Sequence, residues 1–153
     1  MTTAFAGKDV AARLQSASGR FRTAIIGAGP DYVLVKSESL AEIISYLKTT
    51  PEFDFDLLNS LTAVDYFDYF EVVYHLTSLN HNHSLVIKTR CQGRENLSVP
   101  SIVSIYRAAD FQEREVYDLF GIAFSGHPNL KRIMTWEGFP GHPLRKDYLN
   151  NAN

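Results

Sequence analysis

The stretch LLNSLTAVDYFDYFEVVYHLTSLNHNHSLVIKTR, residues 57–90, decides the fold. It holds three strand-like runs, 57–66, 70–79 and 84–90, separated by the short turn Phe67-Asp68-Tyr69 and by Asn80-His81-Asn82-His83, which is rich in turn-formers. The reading is an antiparallel, meandering set of three strands. Toward the N-terminus, residues 8–18 place Val10, Leu14 and Ala17 at helical spacing. Residues 21–26 and 32–35 read as two strands around Gly27-Ala28-Gly29-Pro30-Asp31. Ser37 or Ser39 can cap a second helix running to Lys48, with Leu40, Ile43, Ile44 and Leu47 as its apolar stripe and Pro51 as its stop. Toward the C-terminus, Pro100 opens a helical region over 101–120, with Ala109 as the place for a break. The order α-β-β-α-β-β-β-α implies the α+β class: a two-layer domain with helices packed on one face of a mixed sheet, followed by an irregular C-terminal tail.

Composition narrows the class. An apolar content of 45% with 21% charged residues is that of a globular chain, not a disordered one. A net charge of −2 argues against a generic nucleic-acid binder, which would be basic. Charge is nevertheless uneven: residues 51–71 carry six acids and no Lys or Arg, while the basic residues of the tail lie at the other end. Cys91 stands alone, so neither an intrachain disulfide nor a cysteine framework for an iron–sulfur cluster is expected. No apolar run approaches the ~20 residues that cross a bilayer. The start, MTTAFAGKDV, lacks the features of a signal or transit peptide, so the expectation is a soluble chain that stays where it is made.

Three catalytic readings fail on the residues. Gly27-Ala28-Gly29-Pro30 resembles the opening of a dinucleotide fingerprint, but the third glycine is replaced by Tyr32 and a strand follows where a helix is needed. A hairpin turn is the better reading. His75, His81, His83, His127 and His142 lack the Cys or acidic neighbours of a metal site, and His81 and His83 face one side only in a strand. Glu113 and Glu115, two apart on a helix, point away from each other and cannot act as paired carboxylates.

The densest segment is ERE-VYDLF-GIAFSG-HPNL-KRIM, residues 113–134, running on through WEGFPGHPLRKDY, 136–148. Asp110 with Glu113 fits a capping box. Val116, Leu119 and Phe120 recur at helical spacing, and Gly121 falls where a left-handed residue would end the helix. Arg114 lies four residues before Asp118, so the pair can meet on one side. If exposed it contributes only about 0.3–0.5 kcal/mol, and a solvated helix face is the plainer reading of those charges. Downstream, Gly126-His127-Pro128 repeats as Gly141-His142-Pro143, and such turns order a segment. Lys131, Arg132, Arg145 and Lys146 interleave with Trp136, Phe139 and Tyr148. Aromatics and arginine are enriched at the centres of protein interfaces, so the tail reads as a surface that lies against a partner.

Glu113, Arg114, Glu115, Asp118, His127, Arg132, Ile133 and the run His142 to Asp147 stand in a pattern that resembles the C subunit of proton-pumping NADH:quinone oxidoreductase, respiratory complex I. The matching subunits of plastid and cyanobacterial NDH complexes are similar. LLNSLTAVDY and FEVVYHLTSL upstream share the resemblance, and Leu149 departs from it where the family continues with proline. The resemblance implies one domain over 1–153, with 1–110 as the α+β core and 111–148 as signature helix and partner-binding tail. It implies a non-catalytic peripheral-arm subunit that scaffolds the quinone-reducing module. Electrons would pass from NADH through FMN and iron–sulfur centres to quinone, coupled to proton translocation. The implied partners are the large quinone-site D subunit and neighbouring iron–sulfur subunits. No cofactor is expected on this chain; FMN or its equivalent, the clusters and the quinone belong to other subunits.

The implied location is the cytoplasmic face of the bacterial inner membrane, peripheral through the complex, or the plastid stromal face. Expected interface or interface-supporting residues are Glu113, Arg114, Glu115, Asp118, His127, Arg132, His142, Arg145, Lys146 and Asp147. Arg145 could clamp a partner carboxylate bidentately. The competing reading has Arg114 and Arg145 tying the tail to its own helix through Glu115 or Asp118. An equivalent scaffold in a membrane-bound [NiFe]-hydrogenase or a ferredoxin- or F420-linked oxidoreductase is the alternative complex. A free-standing enzyme or nucleotide-binding protein would rest only on the Gly27–Pro30 turn and the histidines.

Overall fold

Side-chain alternation dictates the centre of the molecule, and the elements fall around it. The computed structural model describes residues 3–148. Along the chain come β1 (Thr3–Ala4), α1 (Gly7–Ala17), α2 (Gly19–Ala24), β2 (Ile25–Ala28), β3 (Tyr32–Val35), a 3₁₀ turn at Ser37–Ser39, and α3 (Leu40–Thr49). There follow β4 (Leu57–Asp65), β5 (Tyr69–Ser78), β6 (His83–Gln92), β7 (Ser98–Pro100), α4 (Ala109–Phe120) and β8 (Ala123–Ser125). β4, β5 and β6 pair as the antiparallel meander read from the sequence. The sheet runs β2-β3-β6-β5-β4, with β1 also beside β6. Because β3 and β1 both lie parallel to β6, the sheet is mixed.

Phe70, Val72, Tyr74 and Leu76 of β5, with Leu85 and Ile87 of β6, point to one side. There they join Val10 and Leu14 of α1, Leu40, Ile43, Ile44 and Leu47 of α3, and Val116 of α4 in one buried cluster. Each such side chain contributes about 1.5–3 kcal/mol through burial. The helices therefore cover one sheet face, which is the two-layer α+β arrangement. The opposite face is covered differently. Glu71, 4% exposed, sits 3.3 Å from Lys88 and 3.1 Å from Arg90. Those two cations lie over the rings of Tyr32 and Tyr69, at 4.4 and 4.5 Å. Their aliphatic stems lie along the sheet and their charged heads keep contact with water.

β4 is an edge strand, and α4 packs beside it. Gln112 of α4 accepts the Leu61 N–H at 2.6 Å, which satisfies a donor that the edge would otherwise leave free.

Several expectations change. Residues 21–26 are not one strand. Ser18 accepts the Arg20 N–H and starts α2, so Phe21 and Ala24 reach the core at helical spacing before β2 begins. The helical region after Pro100 forms only from Ala109; residues 101–108 are turns. The capping box is absent as well. Ala108 occupies the cap position with no side-chain bond, which leaves Glu113 two positions too deep to reach back to it. In addition, the Ser37–Ser39 segment enters α3 as a 3₁₀ turn, with no side-chain cap at Ser39. The hairpin turn between antiparallel β2 and β3 is confined to Gly29-Pro30-Asp31, since Gly27 and Ala28 pair with Leu34 and Val33, and Gly29 N–H donates to Tyr32 O at 2.9 Å.

A tail stitched to its own helix

The last turn of any helix leaves carbonyls without intrahelical donors. In α4 the chain's own tail supplies those donors. Gly121, with φ 77°, ends the helix as expected, and its N–H donates to Tyr117 O. Asp118 O accepts from His142 Nδ1 at 2.8 Å and from Arg132 Nη1 at 3.3 Å. Leu119 O accepts from Leu144 N at 3.0 Å. A Cβ on residue 121 would stand 2.7 Å from the His142 ring, so both the φ and the contact require glycine here.

The Asp118 side chain is the larger anchor. It is fully buried, and its two oxygens accept from Ile133, Met134 and Thr135 N–H groups at 3.1, 2.7 and 2.8 Å, from the Thr135 hydroxyl, and from Arg132 at 2.9 Å. Burial pushes this carboxyl up, but the bonds from Thr135, Arg132 and Met134 outweigh it and hold it well below the usual carboxylate range. Arg132 continues to Gly141 O at 2.9 Å. Arg114, on the same side of α4, donates to Lys131 O and Arg132 O instead of pairing with Asp118. The face read as solvated is thus the face that grips the tail.

A second carboxylate, missed in the sequence, holds the far end. Asp65 is 3% exposed and takes both guanidinium nitrogens of Arg94, the Phe67 N–H at 2.8 Å and the Lys146 N–H at 2.8 Å. The Arg94 bonds chiefly, helped against the cost of burial by the Lys146 and Phe67 N–H groups, hold this carboxyl far below its ordinary pKa. Arg94 also reaches Asp147, which binds Arg145 at 3.1 Å; Arg145 in turn donates to Arg94 O. Arg94 and Arg145 both lie over Phe70, at 4.6 and 5.2 Å.

Glu113 and His127 complete the network. Glu113 accepts from Ser101 Oγ and Ile102 N, each at 2.7 Å, and so closes the turns that precede α4. Burial raises its pKa, only partly offset by those two bonds and by His127. His127, whose side chain is fully buried, accepts the Asn129 N–H at Nδ1, which assigns the proton to Nε2; that group donates to Asp110 O at 3.1 Å.

The structure therefore places the candidate residues as follows. Glu113, Asp118, His127, Arg132 and His142 are bonded inside the chain, and Arg114 holds the tail backbone. Arg145 does not project a free clamp, nor does it tie to Glu115 or Asp118; it grips Asp147 and Arg94 O. Glu115 and the Lys146 side chain are exposed. Leu149 lies outside the described residues. Outward from this network face Met134, Trp136 and Leu144, at 63, 67 and 54% exposure. Beside them a cleft of about 630 Å³ is lined by Tyr117, Leu130, Lys131, Arg132, Glu137 and Gly138. Among the described residues no group of His, Cys, Asp or Glu is placed to hold a metal ion.

The family model for the respiratory-chain NADH dehydrogenase 30 kDa subunit matches residues 33–153. The NADH-quinone oxidoreductase C subunit from Coxiella burnetii (strain Dugway 5J108-111) is 36% identical, over 88% of this chain and 76% of that relative. The C subunit from Rhodobacter capsulatus is 41% identical over 92% and 72%, and that from Dinoroseobacter shibae 46% over 76% and 54%. Among solved structures, a chain of the membrane-bound sulfane sulfur reductase, an archaeal respiratory membrane complex, superposes with a TM-score of 0.66. It is 30% identical over 79% of this chain and 72% of that one. The chain belongs to the 30 kDa family of NADH-quinone oxidoreductase C subunits and is a peripheral subunit of respiratory complex I.

Proposed function

We propose that this chain is a non-catalytic scaffold whose tail docks against the large quinone-site D subunit, with neighbouring iron–sulfur subunits of the peripheral arm alongside. The observation that carries the reading is the contrast at residues 133–136. Asp118 pins the backbone of residues 133–135, while Met134 and the adjoining Trp136 present mostly exposed apolar side chains. A rigid segment that shows bulky apolar groups to water loses little conformational freedom on binding and gains their burial. The signature charges then serve the interface from behind, by fixing the shape of the surface. FMN, iron–sulfur clusters and quinone sit on other subunits in this reading, and the chain takes no direct part in proton translocation. Among the described residues no helix is long and apolar enough to cross a membrane, in keeping with peripheral attachment; the face in this reading is the cytoplasmic one of a bacterial inner membrane or the plastid stromal one.

The test is Trp136→Ala in the assembled complex. Recovery of the large subunit with the tagged chain should fall at least about tenfold, with the unfolding transition of the chain unmoved. Undiminished recovery would defeat the reading. The likeness to a sulfane sulfur reductase chain favours a second reading, in which the same scaffold serves a complex fed by another electron donor. Mass spectrometry of the proteins recovered with the wild-type chain separates the two.

A further inference from the structure

The β4–β5 hairpin ends in Tyr66-Phe67-Asp68-Tyr69, and Phe67 has φ 69°. A bulky aromatic enters the left-handed region only at an energetic cost. Burial among the described residues recovers only part of that cost, since Phe67 is 56% exposed and Tyr66 46%, with the Arg94 guanidinium 5.8 Å from the Phe67 ring centre. The conformation is held by polar groups on both sides of the residue. Asp65 Oδ1 accepts the Phe67 N–H at 2.8 Å, and Arg94 Nη1 donates to Phe67 O at 3.1 Å while bound to Asp65.

The same Asp65 carboxylate accepts the Lys146 N–H, and Lys146 Nζ stands 5.1 Å from the centre of the Phe67 ring. The cations around it are paired: Arg94 with Asp65 and Asp147, Arg145 with Asp147. The Lys146 ammonium has no carboxylate partner among the described residues. A fixed phenyl ring and an ammonium without a carboxylate partner among the described residues thus share one exposed surface, continuous with the tail through Asp65.

We propose that this hairpin tip, Tyr66 and Phe67 with Lys146, is a second docking element of the chain. Its occupant is the same neighbouring subunit that the tail meets. That subunit presents an apolar pocket for the Phe67 ring and, at the rim of that pocket, a carboxylate for Lys146. The inference rests on the docking reading above for the identity of the partner.

Phe67→Gly is the discriminating variant, because glycine accepts the positive φ while removing the ring. In the purified chain the melting temperature should hold or rise. In detergent-extracted membranes, recovery of the large subunit with the tagged chain should fall at least about tenfold. Lys146→Glu should weaken recovery most at low ionic strength, where an unscreened rim pair acts most strongly. Full recovery with Phe67→Gly, while Trp136→Ala still loses the partner, overturns the tip and leaves the tail reading standing. Full recovery with both overturns both. A fall in the melting temperature of Phe67→Gly makes the ring an internal strut and overturns the proposal. So does a dimer of the wild-type chain, seen by light scattering, that the variant abolishes, since the occupant would then be a second copy.

Discussion

The sheet layer and the tail are held by different physics. Residues around β5, β6, α1 and α3 cohere by apolar burial, with Tyr74, Phe70, Leu40, Ile43, Ile44 and Leu47 fully sequestered. The tail from 126 to 148 has half-buried Leu130, Ile133 and Phe139 but no fully buried side chain of that kind; it is fastened by Asp118 and Asp65. Apolar burial tolerates shape changes in small steps, whereas a carboxylate taking five donors works as a unit. The lesson is that charges crowded on a sequence can be mortar and not surface.

Removing the mortar should do the most damage. Asp118→Ala strands Arg132 and three backbone N–H groups, and is expected to cost about 3–5 kcal/mol in urea unfolding. An unshifted urea midpoint would mean that the network is ornamental. Leu47→Ala in the core should cost a comparable ~2–5 kcal/mol, but with no dependence on pH or salt. A clear salt dependence there would blur the contrast. Arg94→Ala, whose side chain is one-quarter exposed, should lose about 2–3 kcal/mol and admit protease near Lys146 before the sheet opens. Cleavage that begins in the sheet instead would break the comparison.

Acid should separate the regions next. Asp65 and Asp118 have depressed folded-state pKa values, so the stability that they contribute is full above the unfolded value near ~4 and is lost as pH falls through the folded ones. Glu113 acts in the opposite sense: its pKa is raised, so its contribution is greatest below the unfolded value and fades as pH rises. Tail protection in hydrogen exchange should therefore fall before sheet protection between about pH 4 and pH 2, and no less steeply in Glu113→Gln, which lacks the opposing gain on acidification. The smallest effect belongs to Trp136→Ala, within about 0.5 kcal/mol in the isolated chain, because its ring already faces water.

How much of this could be read in advance depended on range. β4 to β6 were legible because alternation is local, and Gly121 because a helix stop is local too. α2 was not, because Phe21 and Ala24 suit a strand or a short helix until Ser18 is seen capping. The site was half legible. Glu113, Asp118, Arg132, His142 and Arg145 stand out in the sequence as interface residues, whereas within the chain they bond Ser101, Thr135, Gly141 O, Asp118 O and Arg94 O. Asp65 meets Lys146 across 81 positions, and no spacing rule spans that distance.

A newly made copy, before it meets any partner, carries one side of its sheet uncovered by helices. Tyr32, Lys88, Glu71, Arg90 and Tyr69 lie across that side and keep it wetted. Two such faces brought together would have to strip water from four cations and set like charges against each other. A protein that waits for assembly is thereby kept from adhering to its own kind in the interval.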